Sequence, residues 1–140
     1  DYTMALSSSL KSKAYMVEKT TTLGVTSGTT VGPAVLANTM VIASGIEFVT
    51  AAGSAATSAT VAVGDGVTAN LAAVDMQAKA AGTVLGGVVP SFVSADDTID
   101  AVLAVTGSGL VAATVRIWAI VVDCNENTKN ADEVSRDVLA

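Results

Sequence analysis

The stretch that decides the fold is Ala113-Thr-Val-Arg-Ile-Trp-Ala-Ile-Val-Val-Asp123. Strict alternation puts Val115, Ile117, Ala119 and Val121 on one face of a strand and Arg116, Trp118, Ile120 and Val122 on the other. Both faces are largely apolar, which predicts a central strand covered above and below.

The same texture recurs outward from this strand. Ala95-Asp-Asp-Thr-Ile-Asp100 reads as a polar corner feeding a strand with Ile99, Ala101, Leu103 and Val105 on one face, and Gly107-Ser-Gly109 as the hairpin turn that brings it back. Thr60-Val-Ala-Val63 is a short strand running into the tight turn Gly64-Asp-Gly66, and Val67 to Val74 fits a strand or a short helix. Asp75 to Ala81 is the best internal helix candidate, and Gly53 to Ser58 a small-residue linker. Thr39 to Thr50 places Ile42, Ser44, Ile46 and Phe48 on one face against Val41, Ala43, Gly45, Glu47 and Val49 on the other, and Lys13 to Leu23 supplies a first strand. The count is about eight strands separated by Gly-rich turns, with no long amphipathic helix. The expected fold is all-β, an antiparallel β-sandwich or jelly-roll-like domain, since the strand–helix alternation of a parallel sheet is absent.

Both ends differ in character from this middle. Residues 1–12 are Ser-rich and weakly patterned, the mark of a flexible N-terminal arm that gains order against something else. Residues 13–124 form the expected sandwich domain, and 125–140 a polar linker followed by a short C-terminal helix. There Asn130 is an N-cap with Glu133 three residues on, while Val134 and Val138 share a face joined by Leu139. A helix of about ten residues is marginal alone, so it packs on its own sandwich or on a neighbour. Tyr2, Met4, Leu6, Leu10, Val134, Val138 and Leu139 are therefore the candidate assembly contacts.

Composition narrows the function. Hydrophobic residues make up 51% of the chain and charged ones 14%, against roughly 25% charged in ordinary soluble domains. So few charges favour a surface shared among copies. The net charge is −6, and Lys79 is the one basic residue from Thr20 to Val115, so no basic stripe meets phosphates and nucleic acid is excluded as a partner. A mean hydropathy of +0.58 raises the membrane question. The longest apolar candidate, Ala101 to Val115, is cut by Thr106, Gly107, Ser108 and Gly109, well short of the roughly 20 residues of a spanning helix, so no membrane is expected. Asp1 to Lys19 lacks the basic start and apolar run of a secretory leader.

Catalytic chemistry is poorly provided for. The sequence has no histidine, which removes Ser-His-Asp and Cys-His catalysis and histidine metal sites. Its one cysteine, Cys124, reads as a half-buried thiol at a strand end. Ser8 and Lys11 have Ser-x-x-Lys spacing without a companion motif. Gly107-Ser-Gly109 imitates a dinucleotide fingerprint, but Ala112 stands where its last glycine would be. Asp65, Asp75, Asp96, Asp97 and Asp100 suit turn and cap chemistry, with calcium at Asp65, Asp96, Asp97 or Asp100 the open alternative. Trp118 is expected in the core, with Arg116 reaching past it to solvent or an acidic partner; an exposed aromatic patch would instead suit sugar binding. No enzyme and no cofactor is expected.

The runs Gly45-Ile-Glu-Phe-Val49, Thr60-Val-Ala-Val-Gly-Asp-Gly66, Ala95-Asp-Asp-Thr-Ile-Asp100 and Ala113-Thr-Val-Arg-Ile-Trp-Ala-Ile-Val-Val122 together resemble small virion structural proteins of tailed bacteriophages, most of all capsid decoration (cement) proteins. The resemblance is one of layout over residues 13–124. It implies a sandwich or jelly-roll domain added to the exterior of an assembled capsid, bound to the major capsid protein and to copies of itself as a homo-trimer or other symmetric cluster, with terminal arms gripping neighbours. The alternative from the residues is a sandwich binding module of a head fibre or bacterial surface structure that recognises glycan or a cell surface.

Overall fold

The computed structural model describes residues 14–54 and 56–124. The expected arm, linker and C-terminal helix lie outside the described residues, as do Tyr2, Met4, Leu6, Leu10, Val134, Val138 and Leu139.

Every regular element among the described residues is a strand: β1 (Ala14–Thr22), β2 (Gly28–Val35), β3 (Thr39–Phe48), β4 (Ser58–Gly64), β5 (Ala69–Asp75), β6 (Val84–Gly87), β7 (Ser91–Val93), β8 (Asp97–Thr106) and β9 (Thr114–Asp123). One sheet runs β1-β9-β3-β6, with β7 also paired to β3, and the other runs β2-β8-β4-β5. All pairings are antiparallel. Counting β6 and β7 as two halves of one strand beside β3 gives the strand order of a jelly roll, in which the chain changes sheet at every connection except β4 to β5 and β6 to β7.

The core lies between the two sheets. From the five-stranded sheet it takes Val41, Ile46, Phe48, Val115, Ile117, Ala119 and Val121; from the other, Ala59, Val61, Val63, Ile99, Ala101 and Leu103. Most of these are Val, Ala and Ile, so the two layers pack with few aromatic spacers, and Phe48 alone among the phenylalanines is fully buried. A polar pin crosses this core. Ser44 Oγ on β3 lies 2.9 Å from Asn70 Oδ1 on β5 and 3.2 Å from the Val63 carbonyl on β4. Asn70 Nδ2 in turn donates to the Val89 carbonyl (2.7 Å) and to Ser91 Oγ (3.1 Å), tying the chain ahead of β7 to the opposite sheet.

Four expectations are corrected. Asp75 to Ala81 is not a helix: Asp75 ends β5, Met76 N–H donates to the Ala59 carbonyl, Ala78 N–H to that of Gly53, and Ala78 sits at φ +57°, which stops a right-handed helix. Gly107 to Gly109 is not a hairpin, because β8 and β9 belong to different sheets. The chain there crosses the end of the sandwich and seals it with Leu110 and Ala113. In β3 a bulge between Val41 and Ala43 reverses the alternation, so Val41 joins Ser44, Ile46 and Phe48 inside while Ile42 turns out. Finally, β9 is central by position, between β1 and β3, yet among the described residues only its inner face is covered.

The register divides the molecule into two poles. At one lie Ala14, opposite Val122, and Asp123, opposite Thr39, so the chain enters and leaves the domain side by side. The far pole carries the connections after β1, β3, β5 and β8, with Leu23 N–H donating to the Ala113 carbonyl across it.

Candidate functional site

The outer face of the five-stranded sheet gathers Arg116 and Trp118 with side chains from three neighbouring strands. β9 contributes Arg116, Trp118 and Ile120, with Met16 and Glu18 of β1 opposite Ile120 and Trp118, and Gly45 and Glu47 of β3 opposite Trp118 and Arg116. Gly86 of β6 faces Gly45 and Val84 faces Glu47. The two glycines make a flat bed for the indole: a Cβ at Gly45 would lie 2.6 Å from Trp118 Cζ2, and one at Gly86 2.8 Å from it. Trp118 thus lies outside the inter-sheet core, correcting the core expectation, with one ring face on backbone and its Nε1 buried without a hydrogen-bond partner.

Arg116 reaches past the indole to acidic partners, as expected. Its Nε is 2.8 Å from Glu18 on β1, and it also donates to Glu47 on β3, so one guanidinium spans three strands. Arg116, Glu18, Glu47, Met16, Val84, Trp118 and Ile120 line a groove of about 340 Å³. Met40, Ile42 and Phe92, each partly open to solvent, carry the apolar surface on toward the pole where the chain enters. Arg116 is 38% exposed and its partners 49% and 30%, so solvent screens most of the attraction. Arg116→Ala is expected to lower stability by no more than ~1 kcal/mol, and by less in molar salt; paired thermal melts check this.

The carboxylates considered for calcium are occupied one by one in turns and strand edges. Asp65 Oδ1 accepts from the Val67 and Thr68 N–H groups, Asp96 Oδ1 from Ala37 N–H, Asp97 Oδ1 from Thr98 N–H, and Asp100 Oδ1 from Thr98 Oγ1 and Gly32 N–H. Asp75 Oδ1 likewise accepts from Gln77 N–H. Among the described residues no three His, Cys, Asp or Glu side chains converge in a metal-binding group. Cys124 is half-buried just after β9, with Sγ 3.6 Å from the Val122 carbonyl, as its position in the sequence implies. Ser8 and Lys11 lie outside the described residues.

This face presents open apolar side chains beside a small acidic rim of Glu18 and Glu47. Sequence reasoning missed Glu18 and Glu47 because only strand register brings them to Arg116, and it missed the role of Gly45 and Gly86 because a glycine bed has no local signal.

Strand order and packing define the class: a jelly-roll β-sandwich. No protein-family model and no curated protein matches the chain. Among solved structures it is similar to a chain in the acidic stable capsid structure of Helicobacter pylori bacteriophage KHP30, with a TM-score of 0.52 at 12% identity, covering 79% of this chain and 89% of that one. A looser likeness, TM-score 0.32 at 11% identity, covers 82% of this chain and 33% of a chain in the structure of infectious bursal disease virus Gx strain. At 12% identity, what is shared with the phage capsid chain is the fold.

Proposed function

We propose that this protein is a non-enzymatic structural component of a virion, a decoration or cement protein that binds the exterior of an assembled capsid and bridges neighbouring subunits. The observation that carries this reading is the fold likeness to a capsid chain, which runs through most of both chains rather than one domain of a larger protein. The sequence supports it with few charges and no histidine, and the outer sheet face with its open apolar side chains. The partners are the major capsid protein and copies of this chain in a symmetric cluster. Burial at a standard interface is worth about 25 cal/mol per Å² before association costs, and repetition over a shell makes modest contacts avid.

The test mixes purified protein with expanded capsids. Saturable, symmetric occupancy with raised resistance to heat is expected; binding confined to unassembled capsid subunits overturns the reading. A second reading rests on Trp118, which lies on the outer face beside Arg116: a glycan-binding module of a head fibre or bacterial surface structure. Trp118 fluorescence that stays unchanged across a glycan panel removes that reading.

A further inference from the structure

The four sheet edges are not equally guarded. β2 carries Pro33 within a bulge between Val31 and Ala34. β5 pairs with β4 through two register shifts. The edge made by β6 and β7 is broken into strands of four and three residues, with Pro90 just ahead of β7. Both prolines of the chain thus stand at edges other than β1. β1 holds nine consecutive residues in unbroken register with β9 and has no strand on its other side among the described residues. A long regular edge of this kind offers a row of unpaired backbone groups to an incoming strand.

We propose that β1 accepts, as an added strand, the N-terminal segment of a second copy of this chain, residues 2–10. Three features of the sequence and structure select that occupant. First, Tyr2, Met4, Leu6 and Leu10 fall on even positions, interrupted by Ser8, while Asp1, Thr3, Ser7 and Ser9 fall on odd ones with Ala5, so an extended segment has one face that is mainly apolar and one that is mainly polar. Second, a groove of about 580 Å³ runs between the β1 and β2 edges, lined in part by Val17, Val31, Pro33 and Ala34, and a strand beside β1 lays alternate side chains over it. Third, residues 2–13 contain none of the Gly, Asn or Asp that two-residue hairpin loops call for, which favours a neighbour's edge over the segment's own β1. Extended, residues 1–13 span up to ~43 Å, more than the ~30 Å of a nine-residue strand, and so reach along a neighbour's edge.

This deepens the reading of the chain as a self-associating subunit, yet it concerns free protein and needs no capsid. The test measures self-association of the full chain by sedimentation and amide exchange of Tyr15 to Thr21 at several concentrations. Exchange is expected to slow as copies associate. Met4→Asp with Leu6→Asp should raise the concentration for half-association tenfold or more and remove the protection, while Thr3→Asp with Ala5→Asp, on the polar face, leaves both in place. A chain that is monomeric throughout, protection independent of concentration, or association indifferent to the apolar-face variant each overturns the proposal. The unmodified chain assayed on expanded capsids separates the two readings: no capsid occupancy with intact, β1-protecting self-association counts against the decoration role alone.

Discussion

Asn70→Asp is expected to cost the fold about 3–5 kcal/mol at neutral pH. The side chain is fully buried, and its Nδ2 is the donor for both the Val89 carbonyl and Ser91 Oγ. A carboxylate in its place sets negative charge against the Val89 carbonyl with no basic group in the pin to offset it. Ser44 Oγ still donates to the oxygen that remains, so the damage falls on the β7 side. Asn70→Ala separates lost bonds from buried charge, with an expected cost of about 2–3 kcal/mol. Ser44→Ala, which removes one hydroxyl, should cost about 1 kcal/mol. Denaturant unfolding of the three variants gives the order directly; equal losses for Asn70→Asp and Ser44→Ala would mean that the pin contributes little.

Gly45→Ala is the second large effect, at about 3 kcal/mol or more. Its Cβ would lie 2.1 Å from the Leu85 carbonyl oxygen and 2.8 Å from Gly86 Cα, both backbone atoms, besides the 2.6 Å approach to Trp118. β3 and β6 must separate to admit it. Gly86→Ala meets only the indole, at 2.8 and 3.0 Å, with the next atom at 3.9 Å. The ring can tilt away, so this variant should lose about 1 kcal/mol and report the tilt as a red-shifted tryptophan emission. A Gly86→Ala variant as unstable as Gly45→Ala would contradict a rigid β3–β6 contact beneath a movable ring.

The sheet character of the chain was legible because alternation is a local signal. β8 and β9 follow their inward faces residue by residue, from Ile99 to Leu103 and from Val115 to Val121. Reading failed where a residue's fate depends on another strand. The bulge at Ile42 turns half of β3 over, although its side chains alternate without a break in the sequence. Gly107-Ser-Gly109 has turn chemistry, but whether a turn joins neighbours or crosses a sandwich is set by topology. The outer-face cluster was half visible: Arg116 was expected to find an acid, while Glu18 and Glu47 are named only by the register of β1 and β3 against β9. Trp118 misled because an apolar strand in a central position need not be covered twice.

The side-by-side entry and exit of the chain gives the domain a built-in polarity. Ser108, exposed between two glycines held at positive φ, sits at the pole opposite Ala14 and Cys124. A passenger peptide spliced in at Ser108 therefore projects from the pole opposite the one where β1 begins and β9 ends, so that cargo and chain ends are kept on opposite sides of the domain.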